Sequence, residues 1–575
     1  MTDQTNPSAS SWSSSAPGKV RPPLARDLVK AVAIDHGVCI RPVAMRRTDL
    51  TTGESQIINM PCGHTLASVC PPCAERKRKL RATQCREGWH LEEEPVIVRA
   101  HPDEEQRFWM EKRAEVQHQA EQTEAAGDDA SQLRELLGEI NAELTRTGVV
   151  GKIPTEKDDA SQLRELLGEI NAELTRTGVV GKIPTEKPDR PKRSTKRRQD
   201  VPDLPRRPVS SRTVGKVYTA PDGKTFRPSL FLTLTLDSYG RVKSDGTPVD
   251  PATYDYRRAA RDALHFSKLV DRFVQNLRRF VGYDVQYFAA VEPQRRLAPH
   301  LHMAIRGTIS RAELRQVAAA TYTQVWWPST DTVVYDGTRV PYWDPHQRAY
   351  LDPDTNQPLT SWETAVRALD DEEAEPLHVG RFGRQIDAKG VMAGSPDSDR
   401  CIGYITKYLV KDIAECHETE TAAQADHADR LLEALRYEPC SPTCANWLRY
   451  GIQPKNPKPG LTPGYCKSKA HRREHLGYAG RRVLVSRKWS GKTMADHKAD
   501  RKNWVLARLA EAGVSATGHP TEPGRYAWEL APPDHPDVPP VEQRLMAAIA
   551  ERLEMRRQLD QATATADLSA TQEAA

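Results

Sequence analysis

Three side chains that can bind a divalent metal ion stand close together in the stretch YFAAVEPQRRLAPHLHMAIRG, residues 287–307. Two β-forming runs on either side of a segment rich in proline and charge predict a hairpin. Residues two apart in a strand share a face, so His300 and His302 point the same way, and Glu292 at the end of the preceding strand can reach the same point. Two imidazoles and a carboxylate that leave coordination positions open suit an ion that polarises a phosphate oxygen. Because an isolated His-x-His pair is more often two ordinary half-exposed histidines, the prediction depends on the neighbouring segments.

Two neighbouring segments strengthen the prediction of a metal site. The run FLTLTLD, residues 231–237, has apolar residues on one face and Thr233 and Thr235 on the other, which predicts a buried central strand. The run CIGYITKYLVKDI, residues 401–413, has helical periodicity and carries an apolar face made of Ile402, Ile405, Leu409 and Ile413. A different face of this helix presents two phenols and an ammonium together, with a second lysine close by: Tyr404, Tyr408, Lys411 and Lys407. Tyrosines four residues apart are usually packing residues, so this pattern gains its meaning from the metal-capable hairpin.

The cysteines form two groups with metal-ligand spacing. A predicted hairpin over residues 40–61 brings Cys39 beside Cys62, and Cys70 and Cys73 follow in a CPPC knuckle. Four thiols in two close pairs match a closed structural zinc site, with three further side chains as alternative ligands: His64, Cys85 and His90. The second group has the spacing Cys-x3-Cys-x21-Cys-x4-His, which fits a Cys3His zinc module, with His475 as an alternative ligand: Cys440, Cys444, Cys466 and His471. The basic segment 467–502 carries Tyr478 and Trp489 and is a candidate for binding duplex DNA.

Composition indicates several folded regions joined by linkers. The chain has 575 residues, 38% of them hydrophobic, with 43 prolines, and 83 basic residues nearly balance 78 acidic ones to give a net charge of +5. It lacks a run of membrane-spanning length and a signal-peptide core, which predicts a cytoplasmic protein without a membrane partner. It also lacks a Gly-x4-Gly-Lys-Ser/Thr phosphate loop, so an ATP-driven motor is not expected.

Residues 128–157 recur without change as residues 158–187. Each copy contains an amphipathic helix, with Ser131 and Ser161 as N-cap candidates, and two copies are too few for a solenoid. We expect the copies to pair with each other or with a partner, or to act as a spacer. A basic linker follows and would add salt-sensitive affinity for a DNA backbone.

Other elements are predicted around the hairpin. Apolar periodicity predicts a helix from about Tyr256 to Phe280, and Ser310 with Glu313 forms a capping box for a helix that reaches Trp326. Residues 328–377 are weakly periodic and predict an insertion. The run HVGRFGRQID, residues 378–387, is predicted to return a strand to the sheet, with His378 as a minor candidate ligand. A C-terminal amphipathic helix is predicted near Val541 to Gln561.

The ordered set of an FLTLT strand, a Glu-x7-His-x-His hairpin and a Tyr-x3-Tyr-x2-Lys helix resembles the HUH endonuclease superfamily in its two-tyrosine form. The cysteine groups, with the segments CPPCAERKRKLR, QCREGWH, LTLTLDSYGRV and HRREHLGYAGRRVLVSRKWSGKT, are similar to the RepSA-type replication initiators of actinobacterial plasmids. This resemblance covers most of residues 38–504 but not the tandem repeat. It implies an α+β fold, with an HUH-type antiparallel sheet and packed helices between two small zinc modules and disordered linkers. The expected regions are these: 1–25 disordered; 26–127 zinc-ribbon-like module and helix; 128–187 tandem repeat; 188–215 basic linker; 216–415 endonuclease domain; 416–510 second zinc module and basic region; 511–575 helix and disordered acidic tail.

The resemblance also implies a function. Glu292, His300 and His302 would hold Mg²⁺ or Mn²⁺ at the scissile phosphate of single-stranded origin DNA, and Tyr404 or Tyr408 would attack to leave a 5′-phosphotyrosine link and a free 3′-hydroxyl primer. A phenol has a pKa of about 10, so Lys411, Lys407 or the ion would have to stabilise the phenolate. The implied partners are the nick site, its flanking duplex, and a host helicase and polymerase. Two alternatives remain at this point: a two-tyrosine transposase, and a noncatalytic zinc-dependent DNA-binding protein.

Overall fold

The structure is a computed structural model of the chain. It describes residues 23–95 except 90 and 92, 104–125, 130–146, 197–214, 218–392 except 220, 222, 224, 227, 338 and 372, 395–407, 409, 421–511, and 525–573 except 533 and 534. The chain divides into two compact units, one made of residues 1–95 and 195–575 and the other of residues 96–194.

The described residues form helices and antiparallel sheets, the α+β class predicted from the sequence. The helices are α1 Pro23–Asp35, α2 Pro71–Trp89, α3 Glu104–Ala125, α4 Ser131–Arg146, α5 Tyr256–Val281, α6 Arg311–Ala319, α7 Trp362–Arg367, α8 Pro396–Lys407, α9 Ala422–Tyr437, α10 Met494–Glu511 and α11 Val541–Glu573. The strands are β1 Val43–Asp49, β2 Ser55–Met60, β3 Tyr218–Thr219, β4 Thr225–Phe226, β5 Pro228–Leu236, β6 Tyr287–Pro293, β7 Pro299–Arg306, β8 Tyr322–Val325, β9 Tyr342–Asp344, β10 Ala349–Leu351, β11 His378–Met392, β12 Val483–Val485 and β13 Tyr526–Leu530. Within this described part of the chain, no helix is both long and apolar enough to cross a membrane.

The largest sheet has six strands in the order β12-β6-β7-β5-β11-β8, and neighbouring strands are antiparallel. Strand β5 lies inside this sheet, as predicted for a buried central strand. Its residues Leu232, Leu234 and Leu236 are at most 2% exposed and face the main hydrophobic core. Because side chains alternate along a strand, Thr233 and Thr235 lie on the opposite face. The sheet therefore has one largely apolar face and one face that carries Thr233 and Thr235.

Helix α5 covers the apolar face of this sheet. It runs from Tyr256 to Val281, one residue beyond the predicted end, and packs Leu269, Phe273 and Leu277 into the same core as the leucines of β5. The Asp255 side chain accepts a hydrogen bond from the Arg258 amide at its N-terminus. The helix ends at Gly282, which has a left-handed φ of 77°. Local capping and apolar periodicity thus define this element.

The structure corrects the predicted end of the helix that follows the hairpin. The capping box between Ser310 and Glu313 is present, but α6 ends at Ala319 and does not reach Trp326. The run from Tyr322 to Val325 forms strand β8, which pairs with the first residues of β11. The β-forming residues of this run are held by cross-strand pairing, which overrides the continuing helical pattern. The predicted return strand is confirmed as β11.

The weakly periodic segment after β8 packs with the second cysteine group. Trp327, Trp362 and Trp447 form an aromatic cluster together with the buried Cys444. Strands β9 and β10 form a hairpin in this segment, and Tyr350 and Leu448 belong to a second small core there. Residues far apart in the chain therefore form two small apolar cores here, one of which contains Cys444.

The N-terminal hairpin is present with the predicted cysteines at its open end, and a C-terminal strand completes it. Strand β1 pairs with β2, and on its other side with β13. Ala33 on α1 packs against Leu545 and Ile549 on α11. The predicted C-terminal helix is present as α11 and runs to Glu573. The two ends of the chain thus form one three-stranded sheet with packed helices.

The second unit is described by α3 and α4. Helix α4 begins at Ser131 within the first copy of the repeat, and Ile140 packs against Val116 of α3. The Arg113 side chain donates a hydrogen bond of 2.9 Å to the Asn141 amide oxygen. The second copy, with Ser161, lies outside the described residues, and so does the linker from residue 188 to residue 196.

Candidate metal and tyrosine site

The structure brings the three metal-capable residues of the hairpin together. Glu292 on β6 stands directly opposite His300 on β7, and His302 follows on the same face of the sheet. The ligand atoms of the three side chains all lie within 4.8 Å of one another. The residues are buried, with exposed fractions of 8%, 8% and 3% respectively. They lie on the face of the sheet that α5 does not cover.

Both ring nitrogens of His302 have neighbours that orient the ring. Its Nε2 lies 2.8 Å from Oε1 of Glu292, and its Nδ1 lies 3.0 Å from the hydroxyl of Thr233 on β5. A threonine hydroxyl can donate or accept, so it satisfies Nδ1 in either tautomer of the imidazole. The sequence places Thr233 on this face, but only the strand register shows that it holds a candidate metal ligand.

Two other atoms of the trio suit an ion. Glu292 Oε2 and His300 Nδ1 are buried and have no hydrogen-bond partner among the described residues. Leaving such atoms buried and unpaired is unfavourable, and a coordinated cation removes that cost. Burial, the neighbouring His302 and Arg296 lower the pKa of His300 to about 3. His300 is therefore neutral at pH 7, which is the form that binds metal ions. The three side chains could therefore hold a divalent metal ion.

Tyr404 on α8 lies next to this trio. The centre of its ring is 4.8 Å from that of His302, and the two ring planes are nearly perpendicular at 89°. Ile402 and Ile405 bury the apolar side of α8 against the sheet, as predicted, while Tyr404 remains 42% exposed. Lys407 is exposed at the end of the helix. A partly exposed phenol thus stands beside the candidate metal ligands.

The rest of the predicted tyrosine helix is only partly described. Tyr408 and Lys411 lie outside the described residues. Leu409 packs against the cluster that contains Ile402 and Ile405, which is the role predicted for it. The roles of Tyr408 and Lys411 remain predictions.

A β-bulge lies close to the trio, and the sequence analysis did not find it. Leu234 and Leu236 on β5 pair with Ile386 and Phe382 on β11, so residues 383–385 stand opposite the single residue Thr235. Thr235 is itself the cross-strand partner of His300. The bulge therefore presents Arg384, which is exposed, two strands away from His300.

The Thr235 hydroxyl donates a hydrogen bond of 3.1 Å to the carbonyl of Gln385, and this contact holds the bulge. An added Cβ at Gly383 would lie 2.8 Å from Oδ1 of Asp237, so the close approach of these two strands requires glycine.

The first cysteine group forms a compact cluster. The sulfurs of Cys39, Cys62, Cys70 and Cys73 lie within 4.8 Å of one another, and those of Cys39 and Cys70 are 3.8 Å apart. Tetrahedral zinc with Zn–S bonds of about 2.3 Å requires sulfurs about 3.8 Å apart. The four thiols therefore fit a structural zinc ion.

Two of the alternative ligands for this cluster are wrong and one is not described. Cys85 is buried in an apolar cluster with Cys401, and His64 is exposed and does not belong to the group. His90 lies outside the described residues.

The second group also converges. Ligand atoms of Cys440, Cys444, Cys466 and His471 lie within 4.8 Å of one another, whereas His475 is not part of the group. The Cys440 and Cys466 sulfurs are 3.9 Å apart, and His471 Nε2 is 3.7 Å from the Cys444 sulfur. His471 Nδ1 lies 3.0 Å from the Leu435 carbonyl, which can accept its proton and so direct Nε2 towards the thiols. This donor set fits a Cys3His zinc site.

Three further residues singled out in the sequence are buried in the fold instead. His378 Nε2 lies 2.8 Å from Oδ1 of Asp262 on α5, which covers the opposite face of the sheet, so His378 is not a ligand of the trio. Tyr478 and Trp489, the aromatic residues of the basic segment predicted to bind duplex DNA, are 3% and 0% exposed. Exposed aromatic residues among the described residues near this segment include Tyr465, at 72%, and Trp504 on α10, at 62%.

Comparison with known proteins identifies the family. The family described as "Replication initiator protein, pSAM2" (RepSA) matches residues 25–551. A replication initiator protein of Streptomyces ambofaciens is 26% identical over 267 residues, which cover 38% of this chain and 52% of the relative. The chain thus spans about half the length of that relative, and no solved structure gives a significant match. The match over most of its length shows that the chain belongs to the RepSA family of replication initiator proteins.

Proposed function

We propose that this protein initiates rolling-circle replication of a plasmid by nicking one strand of the origin DNA. The observation that carries the proposal is the buried trio Glu292, His300 and His302, whose ligand atoms lie within 4.8 Å, with the Tyr404 phenol beside His302. Family membership supports the replication role, and the trio supports the chemistry of cleavage. The proposal includes an HUH-type, two-tyrosine endonuclease region at residues 216–415.

The trio would hold Mg²⁺ or Mn²⁺. When bound, the ion would polarise an oxygen of the scissile phosphate and neutralise developing charge. The chain supplies the remaining parts of the reaction. The phenol oxygen of Tyr404 or Tyr408 forms a bond to phosphorus, the bond between phosphorus and the 3′-oxygen breaks, and that oxygen leaves as a protonated 3′-hydroxyl primer. Lys407 and Lys411 would stabilise the phenolate.

The second tyrosine gives this mechanism a way to end replication. While one tyrosine stays linked to the 5′-phosphate, the other can cleave the regenerated origin without release of the first strand. Which of Tyr404 and Tyr408 acts first is set by their access to the phosphate. The ring of Tyr404, centred 4.8 Å from that of His302, supports Tyr404 as one of the two nucleophiles.

The two cysteine clusters would each hold a structural Zn²⁺ in modules at residues 26–127 and 416–510. Exposed basic side chains around the second cluster would bind duplex beside the nick site: Arg472, Arg473, Arg481 and Arg487. After nicking, a host helicase and polymerase would extend the primer. Membership of a replication initiator family favours origin DNA over transposon ends, and the unpartnered buried atoms of the trio favour catalysis over binding alone.

The test is covalent adduct formation on labelled single strands from the origin region, with Mn²⁺, on denaturing gels. We expect an adduct with wild type, none with His300→Ala, and none with the Tyr404→Phe/Tyr408→Phe double variant. Tyr465→Phe is the matched control, because Tyr465 is 72% exposed and belongs to the second cysteine module. An adduct that persists in the double variant, or that forms equally without Mn²⁺, would overturn the proposal.

A further inference from the structure

Helix α2 of the N-terminal module extends from a cysteine cluster to the nuclease sheet. It begins directly after Cys70, carries Cys73 in its first turn, and ends at Trp89. Its 19 residues span about 28 Å. Trp89 is only 2% exposed and packs on Phe231 of β5, with ring centres 6.4 Å apart. A residue that precedes β5 by more than a hundred positions therefore lies behind the candidate site.

Phe231 connects Trp89 to the reacting groups. Its ring is stacked on His302, with centres 5.8 Å apart and planes at 16°. It also forms a T-shaped pair with Tyr404, with ring centres 6.2 Å apart and planes at 83°. The same phenylalanine thus touches a candidate metal ligand and the candidate nucleophile. Because interiors are closely packed, a change in the ring that packs on Phe231 would alter the space open to both of them.

The end of α2 is held firmly where it meets the sheet. Arg306, the last residue of β7, donates to the Gly88 carbonyl at 2.6 Å and 3.1 Å, and Trp489 Nε1 donates to the Gln84 carbonyl at 3.2 Å. Of these two acceptors, the Gly88 carbonyl is one that the C-terminus of a helix ending at Trp89 leaves unpaired. A Cβ at Gly88 would lie 2.2 Å from the Trp489 ring, so this approach requires glycine.

Helix α2 also contacts the tyrosine helix directly. Arg86 forms an ion pair of 3.0 Å with Asp399 on α8. Cys85 and Cys401 are buried in one cluster together with Ile405. Helix α2 therefore touches both the strand that carries the histidines and the helix that carries Tyr404.

We propose that Trp89 is a positioning residue of the nuclease, which acts through Phe231 to hold His302 and Tyr404 in reacting geometry. The inference rests on the proposed function and assigns part of the site to the N-terminal cysteine module. Its consequence is that a substitution of Trp89 slows cleavage and weakens metal binding but leaves the affinity for DNA unchanged. Small displacements of reacting groups cost up to about 100-fold in rate, which sets the scale of the effect.

The experiment compares Trp89→Leu, Trp89→Phe and Trp447→Leu in the full-length protein. Trp447 is the matched control, because it is fully buried in the core beside the other cysteine cluster. We measure the single-turnover cleavage rate at saturating DNA and Mn²⁺, the affinity for Mn²⁺ by calorimetry, the affinity for the single strand, and urea unfolding.

Trp89→Leu is expected to lower the single-turnover rate roughly 10-fold or more and to weaken Mn²⁺ binding by roughly 3- to 10-fold. Affinity for the single strand should stay near that of wild type, and Trp89→Phe should restore most of the rate. Trp447→Leu should lower stability but leave rate and Mn²⁺ affinity unchanged. Equal rates and Mn²⁺ affinities for folded Trp89→Leu and wild type would overturn the inference. It would also be overturned if Trp447→Leu lost as much cleavage rate and Mn²⁺ affinity as Trp89→Leu. If wild type itself does not cleave, the proposed function fails, while the Mn²⁺ comparison still decides the role of Trp89.

Discussion

The contact between Thr233 and His302 leads to a prediction with a matched control on the same strand. In the metal-free protein, His302 Nε2 faces Glu292 Oε1 at 2.8 Å, so Nε2–H donates to the carboxylate and Nδ1 accepts from the Thr233 hydroxyl at 3.0 Å. If His302 held an ion through Nε2, the ring proton would stand on Nδ1. The hydroxyl serves both tautomers, because it can either donate or accept. A valine side chain has the same shape, but it can form a hydrogen bond with neither tautomer.

The magnitude follows from the atom left without a partner. With ion bound, Thr233→Val leaves Nδ1–H buried and unsatisfied, which costs about 1–3 kcal/mol. Loss of such a partner of a metal-bound histidine typically weakens metal binding about 10- to 100-fold. We therefore expect the dissociation constant for Mn²⁺, measured by calorimetry at pH 7.5, to rise within that range.

Thr235→Val is the control for this prediction. Thr235 lies two residues along β5 on the same face, but its hydroxyl donates to the Gln385 carbonyl and not to an imidazole. Both variants lose one hydrogen bond and should lose about 1 kcal/mol of stability. Only Thr233→Val should lose Mn²⁺ affinity. Equal Mn²⁺ affinities in the two variants would refute the role given to Thr233.

Three other predictions concern the bulge, a buried histidine and the cysteines. Arg384→Gln should reduce the salt dependence of single-strand binding by about one phosphate contact. Arg272 is the control, because it is exposed on helix α5 on the other side of the sheet, and Arg272→Gln should leave the salt dependence unchanged. Identical slopes of log affinity against log salt concentration in the two variants would argue against a phosphate contact by Arg384. Burial lowers the pKa of His265 to about 3, so the unfolded chain binds a proton that the native chain does not, and about 2 kcal/mol of stability should be lost between pH 8 and pH 5. In urea titrations the stability of His265→Phe should therefore fall by about 2 kcal/mol less than that of wild type between pH 8 and pH 5. The same pH dependence in both proteins would contradict a lowered pKa of His265. Elemental analysis should find two zinc ions per wild-type chain and one in Cys444→Ser, with no loss in Cys401→Ser, whose thiol lies outside both clusters.

The sequence predicts those parts of the site that depend on local spacing. The hairpin that joins Glu292 to His300 and His302 follows from strand alternation and a short turn, and the structure contains it. The alternation of apolar and polar residues in β5 likewise predicts a buried central strand, and the structure contains it. Both cysteine groups converge as predicted, because their ligands come in close pairs on short connections.

The parts that could not be predicted depend on contacts between residues far apart in the chain. Neither Trp89 nor its approach to Phe231 leaves a local pattern, since a tryptophan at a helix end is an ordinary packing residue. The pairing of β13 with β1 joins residues about 480 positions apart, and single-sequence periodicity carries no information on partner choice. The end of α6 was mispredicted because cross-strand pairing of Tyr322 outweighed helical periodicity.

We propose that a tyrosine of α8 or of the residues that follow it becomes linked to DNA at the candidate metal site. Trypsin cuts after Arg400, Lys407 and Lys411, so Tyr404 lies in the peptide CIGYITK and Tyr408 in YLVK. The decisive measurement is mass spectrometry of the origin-strand adduct after nuclease and trypsin digestion. We predict a nucleotide on one of these two peptides, formed only with Mn²⁺ or Mg²⁺ and absent in Glu292→Gln. A nucleotide on any other residue, or no adduct despite tight binding of every origin strand, would contradict the account.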